Sequence, residues 1–108
     1  MTKVTDAEVF EYPNGIPLRP IHPGRTLAAE LAARGLSAGA LALKLRVPPN
    51  RLTDIVRGKR AITAETALRL GRQFDTSALF WVNLQTQYDL VAAERESGPR
   101  IVREVEVA

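Results

Sequence analysis

Leu36–Arg60, LSAGALALKLRVPPNRLTDIVRGKR, decides the reading of this chain. Ser37 suits a helix N-cap, since its hydroxyl can accept from a free first-turn N–H. Leu41 and Leu45 then recur at i and i+4, giving that helix one apolar face. Pro48 and Pro49 cannot sit inside a helix, but proline is well tolerated at a first helical position. A second helix therefore starts there and runs to Arg57, with Gly58 as its stop. Leu52, Ile55 and Val56 share its inner side, leaving Asn50, Thr53, Asp54 and Arg57 outward. Two short helices, joined tightly and drawn close by the small Ala42, form a helix-turn-helix pattern. In such a motif the second helix enters the DNA major groove. The competing reading is two amphipathic helices of an ordinary α-bundle with a solvated polar face.

Charge favours the first reading. From Arg19 to Arg60 there are nine Lys or Arg against two acids, a balance of +7. Residues 1–18 and 61–97 each stand at −2, and 98–108 is neutral, so a whole-chain charge of +3 conceals one basic segment. Clustered cations of this kind suit phosphate binding.

At 108 residues and 45% hydrophobic content the chain has the material for one domain with its own core. There is no cysteine, which removes disulfides and Cys-based zinc sites and fits a cytoplasmic protein. No apolar run approaches the roughly 20 residues of a membrane span, and no signal-peptide pattern opens the chain. With one histidine and scattered acids, no triad or metal cluster can be assembled, so neither enzyme activity, cofactor nor metal site is expected. His22 reads as a helix-start residue.

The expected organisation is an arm over 1–20, a helical domain over 21–97 and a tail over 98–108. In the arm, Val4, Val9, Phe10 and Tyr12 fit a short extended piece, while Pro13, Gly15, Pro17 and Pro20 prevent a helix. It is either a disordered leader or a segment that orders against a partner. Pro23 opens a first helix with Leu27 and Leu31 inward and Gly35 as its end. Thr63 caps a fourth helix, with Glu65 in its first turn and Ala67, Leu68, Leu70 and Phe74 as apolar positions. Ser77 caps a fifth, running towards Glu96. Phe80, Leu84, Tyr88 and Val91 form one stripe there, with Trp81 beside it, and Leu79, Val82 and Leu90 lie on another side. The first stripe is expected to close the core. The second is a candidate dimer surface, or else a further buried face in the monomer. Gly98-Pro99 should stop the helix, and the β-branched IVREVEV of 101–107 predicts a short strand in need of a partner.

Taken together, PIHPG, VPPNR, GKRAIT and the FW-N-LQ-YDL pattern over Pro20 to about Ala92 closely resemble the HigA family of antitoxins. These are phage-repressor-like helix-turn-helix proteins, also known as the VapI type. The resemblance implies an all-α, five-helix domain that dimerises and represses its own operon from a palindromic operator. It also implies a protein partner, a HigB toxin similar to RelE-type mRNA-cleaving ribonucleases. Carried over by position, Pro49, Asn50, Thr53, Asp54 and Arg57 face the bases, and Ser37, Lys44, Arg46, Arg51, Lys59 and Arg60 serve the phosphates. The chemistry agrees: Asn pairs bidentately with adenine and Arg with guanine, whereas Lys and Arg on phosphates give salt-sensitive, sequence-blind affinity. Asp54 either accepts from a cytosine amine or, preferably, orients Arg51 or Arg57. Two positions depart from the pattern. Ala38-Gly39 stands where relatives carry a glutamine, and Arg46 occupies a turn position that often holds glycine. A left-handed Arg46 would cost on the order of 1–2 kcal/mol. A stand-alone regulator without a toxin, and a protein-interaction module that binds DNA weakly, are the remaining alternatives. The arm and the first helix are the expected toxin contact.

Overall fold

The computed structural model describes residues 19–108. Among them five helices follow one another: α1 (Pro23–Arg34), α2 (Ala38–Leu45), α3 (Pro49–Val56), α4 (Ala64–Phe74) and α5 (Ala78–Glu104). Ile21–Gln85 forms one compact unit, and Thr86–Ala108 belongs to a second. Residues 1–18 of the expected arm lie outside the described residues.

The helix boundaries follow from local chemistry. His22 caps α1, its Nδ1 accepting from the Gly24 N–H at 2.9 Å, with Pro23 as the first helical residue. Ser37 Oγ accepts from the Ala40 N–H at 3.0 Å to open α2, and Thr63 Oγ1 accepts from the Thr66 N–H at 3.2 Å to open α4. These side chains satisfy donors that the first helical turn leaves without partners.

The ends of α1, α2 and α3 share one device. A residue in the left-handed region lets two successive N–H groups fold back onto the last turn. Gly35 (φ 62°) closes α1 and Gly58 (φ 77°) follows α3. At the end of α2 the same job falls to Arg46, at φ 60° and ψ 47°. Its N–H donates to Leu43 O at 3.3 Å and the Val47 N–H donates to Ala42 O at 3.1 Å. The conformation expected where glycine is absent is therefore adopted. Burial of Val47 and the two backbone bonds offset its cost.

Leu27, Leu31, Leu41, Ala42, Leu45, Leu52, Ile55, Ile62, Ala67, Leu70, Phe74 and Trp81 make the core of Ile21–Gln85. Gly24 brings α1 onto the end of α3. A Cβ at that position would overlap the Ile55 carbonyl oxygen and lie 2.9 Å from its carbon. Proline and glycine of the HPG opening thus have separate tasks, one starting the helix and the other allowing two backbones to touch.

Three expectations require correction. No strand occurs among the described residues; α5 passes through Gly98-Pro99 and continues to Glu104, so Ile101–Val107 is no β-strand. Proline forfeits its own N–H bond and crowds the carbonyl four residues back, but does not forbid the turns on either side. Beyond it, Arg100 pairs with Glu104 at 3.0 Å and the Val105 N–H reaches Ile101 O at 2.8 Å. β-branched residues lose only a few tenths of a kcal/mol in a helix, and an unpaired strand has no ladder to recover it. Second, the apolar stripe of α5 opens on Trp81 rather than on Phe80, while Val91 is buried as expected. Trp81 is buried while Phe80 is 45% exposed, and Leu84 is half-buried. The larger indole takes the inside position, tilted against Phe74 at 6.0 Å, and its Nε1–H donates to Thr76 Oγ1 at 3.2 Å. Third, Leu68 is 64% exposed, its neighbour Ala67 having taken the core position.

Candidate nucleic-acid interface

Leu52 and Ile55 anchor α3 from beneath and are fully buried. Pro49, Asn50 and Arg57 are exposed on its other side, with Arg51, Thr53 and Asp54 partly so. The helix ends at Val56, one residue before the expected limit, and Arg57 forms its C-cap. Thr53 Oγ1 donates to Pro49 O at 3.2 Å. With its proton committed, that hydroxyl offers only lone pairs and a methyl group outward, a surface for a base amine or a thymine methyl. Asp54 Oδ2 lies 3.8 Å from Arg60 Nη2. Arg60, rather than the expected Arg51 or Arg57, is thus its ion-pair partner. An exposed pair at that distance adds little stability but restricts where the guanidinium points.

The segment after α3 is pinned on both sides. The Gly58 N–H donates to Ile55 O at 2.9 Å and the Lys59 N–H to Asp54 O at 2.8 Å. The Ile62 N–H then donates to Gln85 Oε1 at 2.8 Å, with both groups buried. Only Arg60 and Ala61 lie between these anchors. Lys59 and Arg60 are therefore exposed cations on a short, fixed bridge. Gln85 was not legible as part of this site. The hints in the sequence are its place one turn after Trp81 and its presence in the FW-N-LQ-YDL pattern, neither of which points to a partner.

Lys44 and Arg46, both exposed, fall in a different neighbourhood. With Arg69, Arg72, Leu68 and Glu65 they line a cleft of about 390 Å³ between the end of α2 and α4. Arg69 bridges its walls, donating from Nη1 to Leu45 O at 2.9 Å and from Nη2 to Glu65 at 3.1 Å. Ser37 is exposed at the start of α2, its oxygen already serving as the cap. On α5, Leu79 (61% exposed) and Leu90 (48%) face outward, whereas Val82 is half-buried against the core. Among the described residues no group of three or more His, Cys, Asp or Glu could hold a metal ion. No helix there is long and apolar enough to cross a membrane.

A short helix exposed on its polar side, tied to its predecessor by a three-residue link and followed by pinned cations, defines a helix-turn-helix module. The helix-turn-helix family pattern matches residues 27–81. Virulence-associated protein I of Dichelobacter nodosus is 54% identical over 77 residues, 70% of this chain and 71% of that protein. An addiction module antidote protein of the HigA family from Coxiella burnetii superposes with a TM-score of 0.81 at 49% identity, covering 83% of this chain and 99% of that one. The antitoxin HigA of Pseudomonas aeruginosa, solved with the higBA promoter, gives 0.80 at 49% identity, covering 82% and 97%. The chain belongs to the helix-turn-helix family, in the branch of the HigA proteins.

Proposed function

We propose that this protein is an antitoxin that represses its own operon and neutralises a HigB/RelE-like, mRNA-cleaving toxin. As a dimer it reads a palindromic operator, placing one α3 in the major groove of each half-site. The observation behind this reading is the outward face of α3 bordered by pinned cations, together with near-complete coverage of a HigA solved with promoter DNA.

In this reading Asn50 and Arg57 supply bidentate hydrogen bonds to base edges, while Thr53 reads a base amine or methyl group. Pro49 packs against a sugar or base edge, and Asp54 directs Arg60. Lys44, Arg46, Arg51, Lys59 and Arg60 neutralise phosphates and the Ser37 O–H donates to one, contacts that contribute affinity without sequence preference. Leu79, Val82 and Leu90 of α5 belong to the dimer contact. A two-fold dimer requires half-sites about 34–36 Å apart, one turn of the duplex.

Two measurements test the proposal. Mobility shift on the DNA upstream of the coding sequence should give a retarded species that resists competitor DNA of unrelated sequence. Co-expression with the adjacent small open reading frame should yield a co-purifying complex and restore growth that the frame alone suppresses. Binding no stronger than to random duplex would remove the repressor half, and failure to rescue growth the antitoxin half.

A further inference from the structure

We infer that Gln85 is a positioning residue for operator binding: from inside the protein, its side chain fixes the segment that presents Lys59 and Arg60. The inference rests on the DNA-binding reading above. Gln85 is 8% exposed and sits on α5, well along the chain from the recognition helix, so it is placed to act through the segment it holds.

The backbone N–H of Ile62 is a donor that must be satisfied. Ile62 is buried, and its N–H has left the α3 ladder without yet joining α4, which starts at Ala64. A buried N–H without a partner is costly, and Gln85 Oε1 supplies that partner at 2.8 Å. Three residues earlier, the Lys59 N–H is held on Asp54 O at 2.8 Å. Between two such points a chain of two residues has few conformations left. Arg60 is steered further by Asp54. The cations therefore meet a phosphate backbone already ordered, and binding need not pay the entropy of arranging them.

An apolar side chain of similar size at position 85 would fill the same buried volume but strand the Ile62 N–H. The segment would have to turn outward to find water, displacing Lys59 and Arg60 while α3 stayed in place. A carboxylate at 85 keeps an acceptor for that N–H. Both substitutions remove the amide NH2, so the difference between the two variants isolates the acceptor.

The test uses full-length protein, with Gln85→Met and Gln85→Glu, and a duplex of the DNA upstream of its own coding sequence. Dissociation constants are measured by fluorescence anisotropy across a salt series, well below each variant's melting temperature. Gln85→Met should bind about 10-fold more weakly, and its slope of log K against log salt should fall by about 1–2, the loss of one or two phosphate contacts. Gln85→Glu should restore most of the slope. A merely structural role would lower the melting temperature and leave the slope of the folded protein unchanged; that result overturns the inference. So does a Gln85→Glu variant that is folded yet behaves as Gln85→Met does. Should Gln85→Met not fold, hydrogen exchange on the wild-type protein decides. Ile62 should be protected far more than Ala61, and further protected on adding the duplex; an Ile62 amide exchanging as fast as that of Ala61 refutes the anchor. Wild-type protein that fails to bind the duplex would instead remove the DNA-binding reading itself.

Discussion

Replacing Gly24 by alanine tests the packing that sets the angle of the recognition helix. The new methyl would overlap the Ile55 carbonyl oxygen and stand 2.9 Å from the carbonyl carbon, where ordinary contact begins at 3.4 Å. Neither side can yield locally. The oxygen accepts the Gly58 N–H that closes α3, and Gly24 donates its own N–H to the His22 cap. The overlap with the oxygen is the tighter of the two, so the first turn of α1 must move away from the last turn of α3 by about an ångström. A gap of 0.5–1 Å forfeits about a quarter to a half of each dispersion contact across it. Leu27, Leu52 and Ile55, all fully buried, are the side chains whose packing it disturbs. Overpacking of this type costs about 1–3 kcal/mol, and rigid backbone on both sides argues for the upper end. Gly39→Ala is the matched control: a Cβ there meets nothing within 4 Å, so helix propensity alone should stabilise by about 0.5–1 kcal/mol. Urea unfolding of both variants gives the comparison. Equal, small effects of the same sign would show that α1 and α3 are not in backbone contact.

Further outcomes follow from the turn, the proline and the arm. Arg46→Gly should gain up to about 1 kcal/mol in urea melts, because relief of the left-handed strain exceeds the extra entropy of the unfolded glycine; a loss would mean that the arginine side chain stabilises the fold through its cleft. Pro99→Ala restores an N–H within the last two turns of α5, so helical circular dichroism and amide protection over 100–104 should rise, and a fall in either would contradict the continuous helix. Deleting residues 1–18 should abolish rescue of toxin-expressing cells while changing operator affinity by less than about 3-fold, since the basic segment begins at Arg19. Full rescue by the shortened protein would exclude the arm as the toxin contact.

Elements whose limits rest on local bonds could be read from residues alone. Ser37, Thr63, Pro49 and Gly35 each fix a helix end through a hydroxyl cap, a locked φ or a left-handed turn. The left-handed backbone of Arg46 was legible only through the family resemblance, which puts glycine at that turn; nothing in the arginine itself announces it. What failed depended on competition between neighbours. Phe80 and Trp81 each complete an apolar stripe on α5, and only the fit against Phe74 and the bond to Thr76 chooses the indole. Ala67 and Leu68 posed the same choice on α4. At Gly98-Pro99 a statistical stop signal met a helix that retained its i, i+4 bonds on the far side. Gln85 was missed because a polar residue on a helix reads as solvated until a distant N–H is found to need it. The partner of Asp54 likewise depended on the path of the chain after Gly58.

The central claim is that α3 distinguishes bases while the cations beside it hold the duplex regardless of sequence. Affinities of Asn50→Ala and Lys59→Ala for the upstream duplex, and for single base-pair variants of it, measure this directly. Asn50→Ala should lose about 1–3 kcal/mol on the native duplex and become indifferent at one base pair per half-site, whereas Lys59→Ala should weaken every sequence alike and lower the salt slope by about 1. Parallel losses on all sequences for both variants, with base preference intact, would contradict the account.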